Sequence, residues 1–111
     1  MNTFSFSYPQ WTIEEQTGYK PVTTFWDDFS IADAFGKAGV QDTFNLAFRT
    51  WKHNHIYLTE LVMVLNWKIY QHYETNRPLA ELYDRLYHKA DEYACDNLQG
   101  DELSYYFQTT D

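Results

Sequence analysis

Ile56-Tyr57-Leu58-Thr59-Glu60-Leu61-Val62-Met63-Val64-Leu65-Asn66-Trp67-Lys68-Ile69-Tyr70-Gln71-His72-Tyr73-Glu74 decides the fold of this chain. The segment has no Gly or Pro, and its apolar residues recur with a helical period. At about 100° per residue, Leu58, Leu61, Val62, Leu65 and Ile69 share one face. Ile56, Met63, Trp67 and Tyr70 share another, nearly opposite, flanked by Glu60 and Glu74. A helix that is apolar on two sides is either central in its domain or offers one side to a partner.

Two further helices flank this one. Val40 to His53 places Val40, Phe44, Ala47, Phe48 and Trp51 on one stripe, opposite Asp42, Asn45, Arg49 and Lys52. After Arg77-Pro78, where proline suits a helix start, a helix running to about Leu98 buries Leu79, Leu82, Tyr83, Leu86, Ala90, Tyr93 and Ala94. Its other side holds Glu81, Asp84, Arg85, His88, Asp91, Glu92 and Cys95.

Shorter helices are expected at each end. Asp27, Asp28 and Ser30 are residue types that accept hydrogen bonds from free N–H groups at a helix start. They would open a helix with Ile31, Ala34, Phe35 and Ala38 on one face, ending between Gly36 and Gly39. Gly100 stops the long helix, and Asp101 caps a last one containing Leu103, Tyr106 and Phe107. Residues 1 to 26 lack a helical period. Phe4, Phe6 and Tyr8 alternate with polar residues, and the region is rich in aromatics, so an extended, ordered arm packed on the helices is expected. The predicted fold is therefore mostly α: one domain over residues 1 to 111, with an aromatic arm over 1 to 26. Residues 27 to 111 form a compact bundle of three longer helices with short flanking helices.

Composition narrows the function classes. The 111 residues carry a formal charge of −8, and 20% are aromatic. From Glu74 onward, nine acidic residues face three basic ones, so this third holds −6 of the total. Such a charge disfavours general binding to nucleic acid or anionic membrane and favours solubility or a basic partner. One cysteine, Cys95, allows no internal disulfide. The start Met1-Asn2-Thr3-Phe4 has neither the basic region nor the apolar run of a signal peptide. The aliphatic run Leu61 to Leu65 is too short to span a bilayer. A cytoplasmic protein is expected.

The constellations that could carry chemistry have simpler readings. Glu81, Asp84 and His88 have metal-ligand spacing, but Glu81 with Arg85 and Asp84 with His88 are also ordinary pairs on a solvated helix. The third helix offers no matching Glu-x-x-His pair. His53 and His55 cannot share a helical face, and Cys95 lies among Asp91, Glu92 and Asp96, which would raise its thiol pKa. Neither a cofactor nor a metal site is expected, nor an enzymatic activity.

Binding surfaces are the remaining candidates. Glu60, Met63, Trp67, Tyr70 and Glu74 form a partner-binding stripe, since exposed Trp and Tyr dominate interface energetics. The partner would be another protein or a second copy of the chain. Glu81, Asp84, Asp91, Glu92 and Asp96 form an acidic surface that could mimic DNA and occupy a DNA-binding enzyme, although Arg85 and Lys89 interrupt the row. A third alternative is DNA binding through Ser30 to Phe44, which has the Ala, Gly and Val of a helix-turn-helix. Its turn is about two residues too long for that pattern, and only Lys37, Arg49 and Lys52 are near enough to meet phosphates.

Two runs, Phe25-Trp26-Asp27-Asp28-Phe29-Ser30-Ile31-Ala32-Asp33 and Tyr57 through Glu74, carry a resemblance together with Gly100-Asp101-Glu102-Leu103-Ser104-Tyr105-Tyr106-Phe107. They resemble a group of uncharacterised small acidic helical proteins from mobile elements and phage-derived regions of gut bacteria, over roughly residues 20 to 111. The resemblance brings no activity or site residues. It implies an accessory gene of mobile DNA, a setting in which modulators of host machinery or of element maintenance are common.

Overall fold

A computed structural model describes residues 22 to 110 and shows five helices and, among these residues, no strand. They are α1 (Val22–Asp33), α2 (Gly36–Trp51), α3 (His55–His72), α4 (Arg77–Asn97) and α5 (Gly100–Thr110). The three longer helices are the three predicted, and the connections between all five are short. A radius of gyration of 13.5 Å is that of a compact domain of this size.

Capping chemistry sets two of the starts. The Asn54 side chain accepts from the backbone N–H groups of Ile56 and Tyr57, at 3.1 and 3.2 Å. Asn76 accepts from the N–H of Leu79 at 3.3 Å, ahead of Pro78 in the first turn of α4. Both satisfy donors that a helix start leaves unpaired.

The α1–α2 corner departs from the sequence reading. Helix α1 begins at Val22, so Val22 to Trp26 are helical rather than part of an extended arm. The remainder of the expected arm, residues 1 to 21, lies outside the described residues. Asp27, Asp28 and Ser30 consequently sit inside the helix instead of capping it. The buried face is Phe25, Phe29 and Ala32, whereas Ile31, Ala34, Phe35 and Ala38 are exposed, Phe35 by 58%.

The two glycines of this corner have different duties. Gly36 takes a left-handed φ of +74° at the start of α2, a conformation costly for other residues. Gly39 is helical and buried, and a Cβ on it would lie 2.6 Å from Phe35 Cβ and 2.9 Å from the Ala32 carbonyl oxygen. It lets the end of α1 approach α2. The expected helix stop over Gly36 to Gly39 is thus the first turn of α2, which begins four residues before the expected start at Val40.

Helix α3 packs against all four of the others and is the centre of the bundle. Its burial differs from the expected geometry. Leu58, Leu61, Val62 and Leu65 are buried as expected, with Ile69 partly so, but the second covered stripe is Tyr57, Val64 and Lys68, adjacent to the first on the Leu61 side. The stripe nearly opposite is the outer one: Ile56, Trp67 and Tyr70 are exposed, and Met63 is half-buried. Lys68 hides the second buried stripe from a hydropathy reading, because a lysine is counted as polar unless its partner is known.

Many of the described aromatic rings pack inside. Phe44 stacks on Phe48, which meets the edge of Tyr93, while Trp51 packs edge-on against Tyr57 with centroids 4.3 Å apart. Tyr106 of α5 is buried, and its hydroxyl donates to Asp91 of α4. No helix among the described residues is long and apolar enough to cross a membrane.

Candidate functional site

Four side chains from three helices meet around Asp33, at the end of α1. From α3, Lys68 Nζ donates to Asp33 Oδ2 at 2.9 Å and to Ser30 Oγ at 2.9 Å, and His72 Nε2 lies 2.9 Å from the same Oδ2. From α4, the Tyr83 hydroxyl donates to Asp33 Oδ1 at 2.5 Å. The Tyr83 ring lies parallel to His72, and the Lys68 ammonium stands 4.2 Å from the centroid of the Trp26 ring.

Burial makes this cluster costly and therefore specific. The Lys68 side chain is 0% exposed, and an ammonium in that position requires a paired carboxylate and further acceptors. Burial, then the hydrogen bond and charge of Asp33, push the Tyr83 phenol well above its ordinary pKa. The cluster ties α1 to α3 and α4. Sequence reasoning missed it because its members are spread from Ser30 to Tyr83. The available signal was a lysine in register with Tyr57, Leu61 and Val64.

The predicted partner-binding stripe is divided by the structure. Glu60 is 4% exposed and does not belong to a surface. Met63 is half-buried, Trp67 is 43% exposed, Tyr70 is 74% exposed, and Glu74 lies in solvent. Tyr73, one turn on from Tyr70, adds a ring that is 49% exposed. Trp67 is fixed edge-on against Trp26, with centroids 6.4 Å apart. Beside it, Met63, Asn66, Tyr87, Thr109 and Thr110 help to line a cleft of about 210 Å³, closed on one side by the end of α5.

A second cleft, of about 260 Å³, opens between α3 and α4 and is lined by Ile69, Tyr73, Arg77, Ala80, Glu81 and Asp84. A third lies among Lys52, His53, Tyr93, Asn97, Leu98 and Glu102.

The predicted acidic surface is likewise uneven. Glu81, Asp84, Glu92 and Asp96 are exposed, but Asp91 is partly buried and accepts the Tyr106 hydroxyl. Asp84 pairs with His88 at 3.4 Å. Partial burial, then Asp91 and Asp96, raise the Cys95 thiol pKa, which disfavours the reactive thiolate.

Among the described residues no group of three or more His, Cys, Asp or Glu is arranged to hold a metal. His53 is 3.2 Å from the Tyr93 hydroxyl, and His55 is 3.4 Å from Glu102. The helix-turn-helix pattern also changes form, since the second helix starts at Gly36 and Val40 and Phe44 are buried. Of the basic residues near it, Lys52 lies over the rings of Phe48 and Tyr93. Compared with known proteins, the chain matches no family, no curated protein and no solved structure.

Proposed function

We propose that this chain is a non-enzymatic interaction protein that binds a protein partner through the outer edge of α3. The observation that carries this reading is the exposure of Trp67 and Tyr70 on the bundle's central helix, with the exposed Tyr73 just past its end. Large aromatic rings left in solvent together, on a rigid element, are the usual anchors of an interface. Trp26 holds Trp67 edge-on, so part of the ordering cost of binding is met before a partner arrives. The resemblance to mobile-element proteins suggests a cytoplasmic modulator of host or element machinery.

The test is differential capture from the native host. Tagged full-length chain and a Trp67→Ala/Tyr70→Ala variant, matched by circular dichroism, are compared by mass spectrometry. The reading expects a protein retained by the wild type and depleted about tenfold or more by the variant, since two lost anchors cost well over 1.4 kcal/mol. Equal recovery by both chains, or DNA recovered with no protein, contradicts it.

A further inference from the structure

The cleft between α3 and α4 has a particular chemical layout. Ala80 is buried and Ile69 half-buried, giving an apolar floor, and the exposed Tyr73 ring forms a wall. Glu81 and Asp84, three residues apart on α4, bring two carboxylates to the rim. Resting on the interaction reading above, we infer that this cleft takes a lysine or arginine side chain from a basic segment of the partner.

The cleft's materials match both halves of such a side chain. Its methylenes find Ile69, Ala80 and the Tyr73 ring, and its charged head reaches carboxylates that remain wet. Cation binding on this wall already has an internal example. The Arg77 guanidinium lies 4.0 Å from the Tyr73 ring centroid, and its Nε donates to the Tyr73 carbonyl at 3.0 Å.

Arg77 opposes a second cation, yet it does not consume the rim. Among the described residues Glu81 has no ion-pair partner within 4.0 Å, and Asp84 pairs only with His88. The wider field has the right sign: the chain carries −8, and the part from Glu74 onward carries −6 of it.

The probe is a fluorescein-labelled Gly-Lys-Lys-Gly-Lys-Lys-Gly peptide, titrated into the full chain at about 0.15 M salt so that long-range attraction is screened. Binding is read by anisotropy and by NMR of the chain. The expected result is movement of the Tyr73 and Ala80 resonances and about tenfold weaker binding by Glu81→Gln/Asp84→Asn, a loss that two solvent-exposed ion pairs supply together. Asp42→Asn/Asp101→Asn removes the same net charge from exposed sites on α2 and α5, and should change affinity less than about twofold.

Equal weakening by the two double variants would show diffuse attraction and overturn the inference, as would absence of movement at Tyr73 and Ala80. A host partner that depends on Trp67 and Tyr70 but binds Glu81→Gln/Asp84→Asn undiminished would also overturn it, while leaving the interaction reading in place.

Discussion

Lys68 Nζ of α3 stands 2.9 Å from Asp33 Oδ2 of α1, with the lysine side chain wholly removed from solvent. The pair fixes the end of the first helix against the spine of the bundle. The same carboxylate also receives Tyr83 from α4 and faces His72. A single group therefore sets the relative position of three helices.

Breaking that pair should be expensive. Lys68→Met leaves the partly buried Asp33 without its cation and should cost about 3 kcal/mol in urea unfolding, the lower end of what one-sided loss of a buried pair costs. Combining it with Asp33→Ala should cost less than the sum of the single changes by more than about 1 kcal/mol. Additivity within about 0.5 kcal/mol would show that the two residues act independently.

Gly39→Ala should run against helix propensity. In an open helix the change would stabilise by about 1 kcal/mol, but here the new Cβ meets the Ala32 carbonyl oxygen at 2.9 Å and Phe35 Cβ at 2.6 Å. Separating α1 from α2 should cost about 1–3 kcal/mol, as overpacking does. A thermal melt unchanged or raised by the substitution would refute the close approach.

The corner around Gly39 also marks how far the sequence could be read. Helices α3 and α4 were legible because strong apolar periods span many turns, and Gly100 marked the break after α4. Asn54 and Asn76 were available as start signals at the α3 and α4 boundaries. The α1 boundary was not legible: Asp27, Asp28 and Ser30 look like caps, but packing of Phe25 and Phe29 extends the helix back to Val22. The Lys68 stripe was hidden for a related reason, since the residue that neutralises it lies 35 positions away. The outer ridge of Trp67 and Tyr70 is a candidate from spacing alone, whereas Glu60 in the same register is buried.

Alkaline pH should weaken the fold through two tyrosines. Tyr83 and Tyr106 have pKa values raised above their ordinary value of 10.0, by burial first and then by their bonds to Asp33 and Asp91. The unfolded chain loses these protons near pH 10 while the folded chain keeps them. The contribution is thus fully present below pH 10 and declines as pH rises above it, by up to about 1.4 kcal/mol per pH unit for each group. Urea unfolding between pH 9 and 11 should show the fall, and Tyr106→Phe should make it shallower. An identical slope in that variant would remove Tyr106 from the explanation.

Exposed and supported aromatics should separate by their effect on stability. Tyr70→Ala should alter the unfolding free energy by less than about 0.5 kcal/mol, as for a surface position. Trp67→Ala also loses the edge-on contact with Trp26 and should cost about 1 kcal/mol. Equal and large losses at both positions, measured by chemical denaturation, would show that Tyr70 is a packing residue rather than part of a free ridge.

Native-state hydrogen exchange, read residue by residue, tests most directly whether α3 is the enclosed spine. Amides from Leu61 to Leu65 should exchange only on global unfolding and be the slowest in the chain, while those near the end of α5 open locally. Fast, local exchange through that stretch, with slower amides elsewhere, would contradict a bundle built around α3 and remove the rigid support on which Trp67 and Tyr70 are displayed.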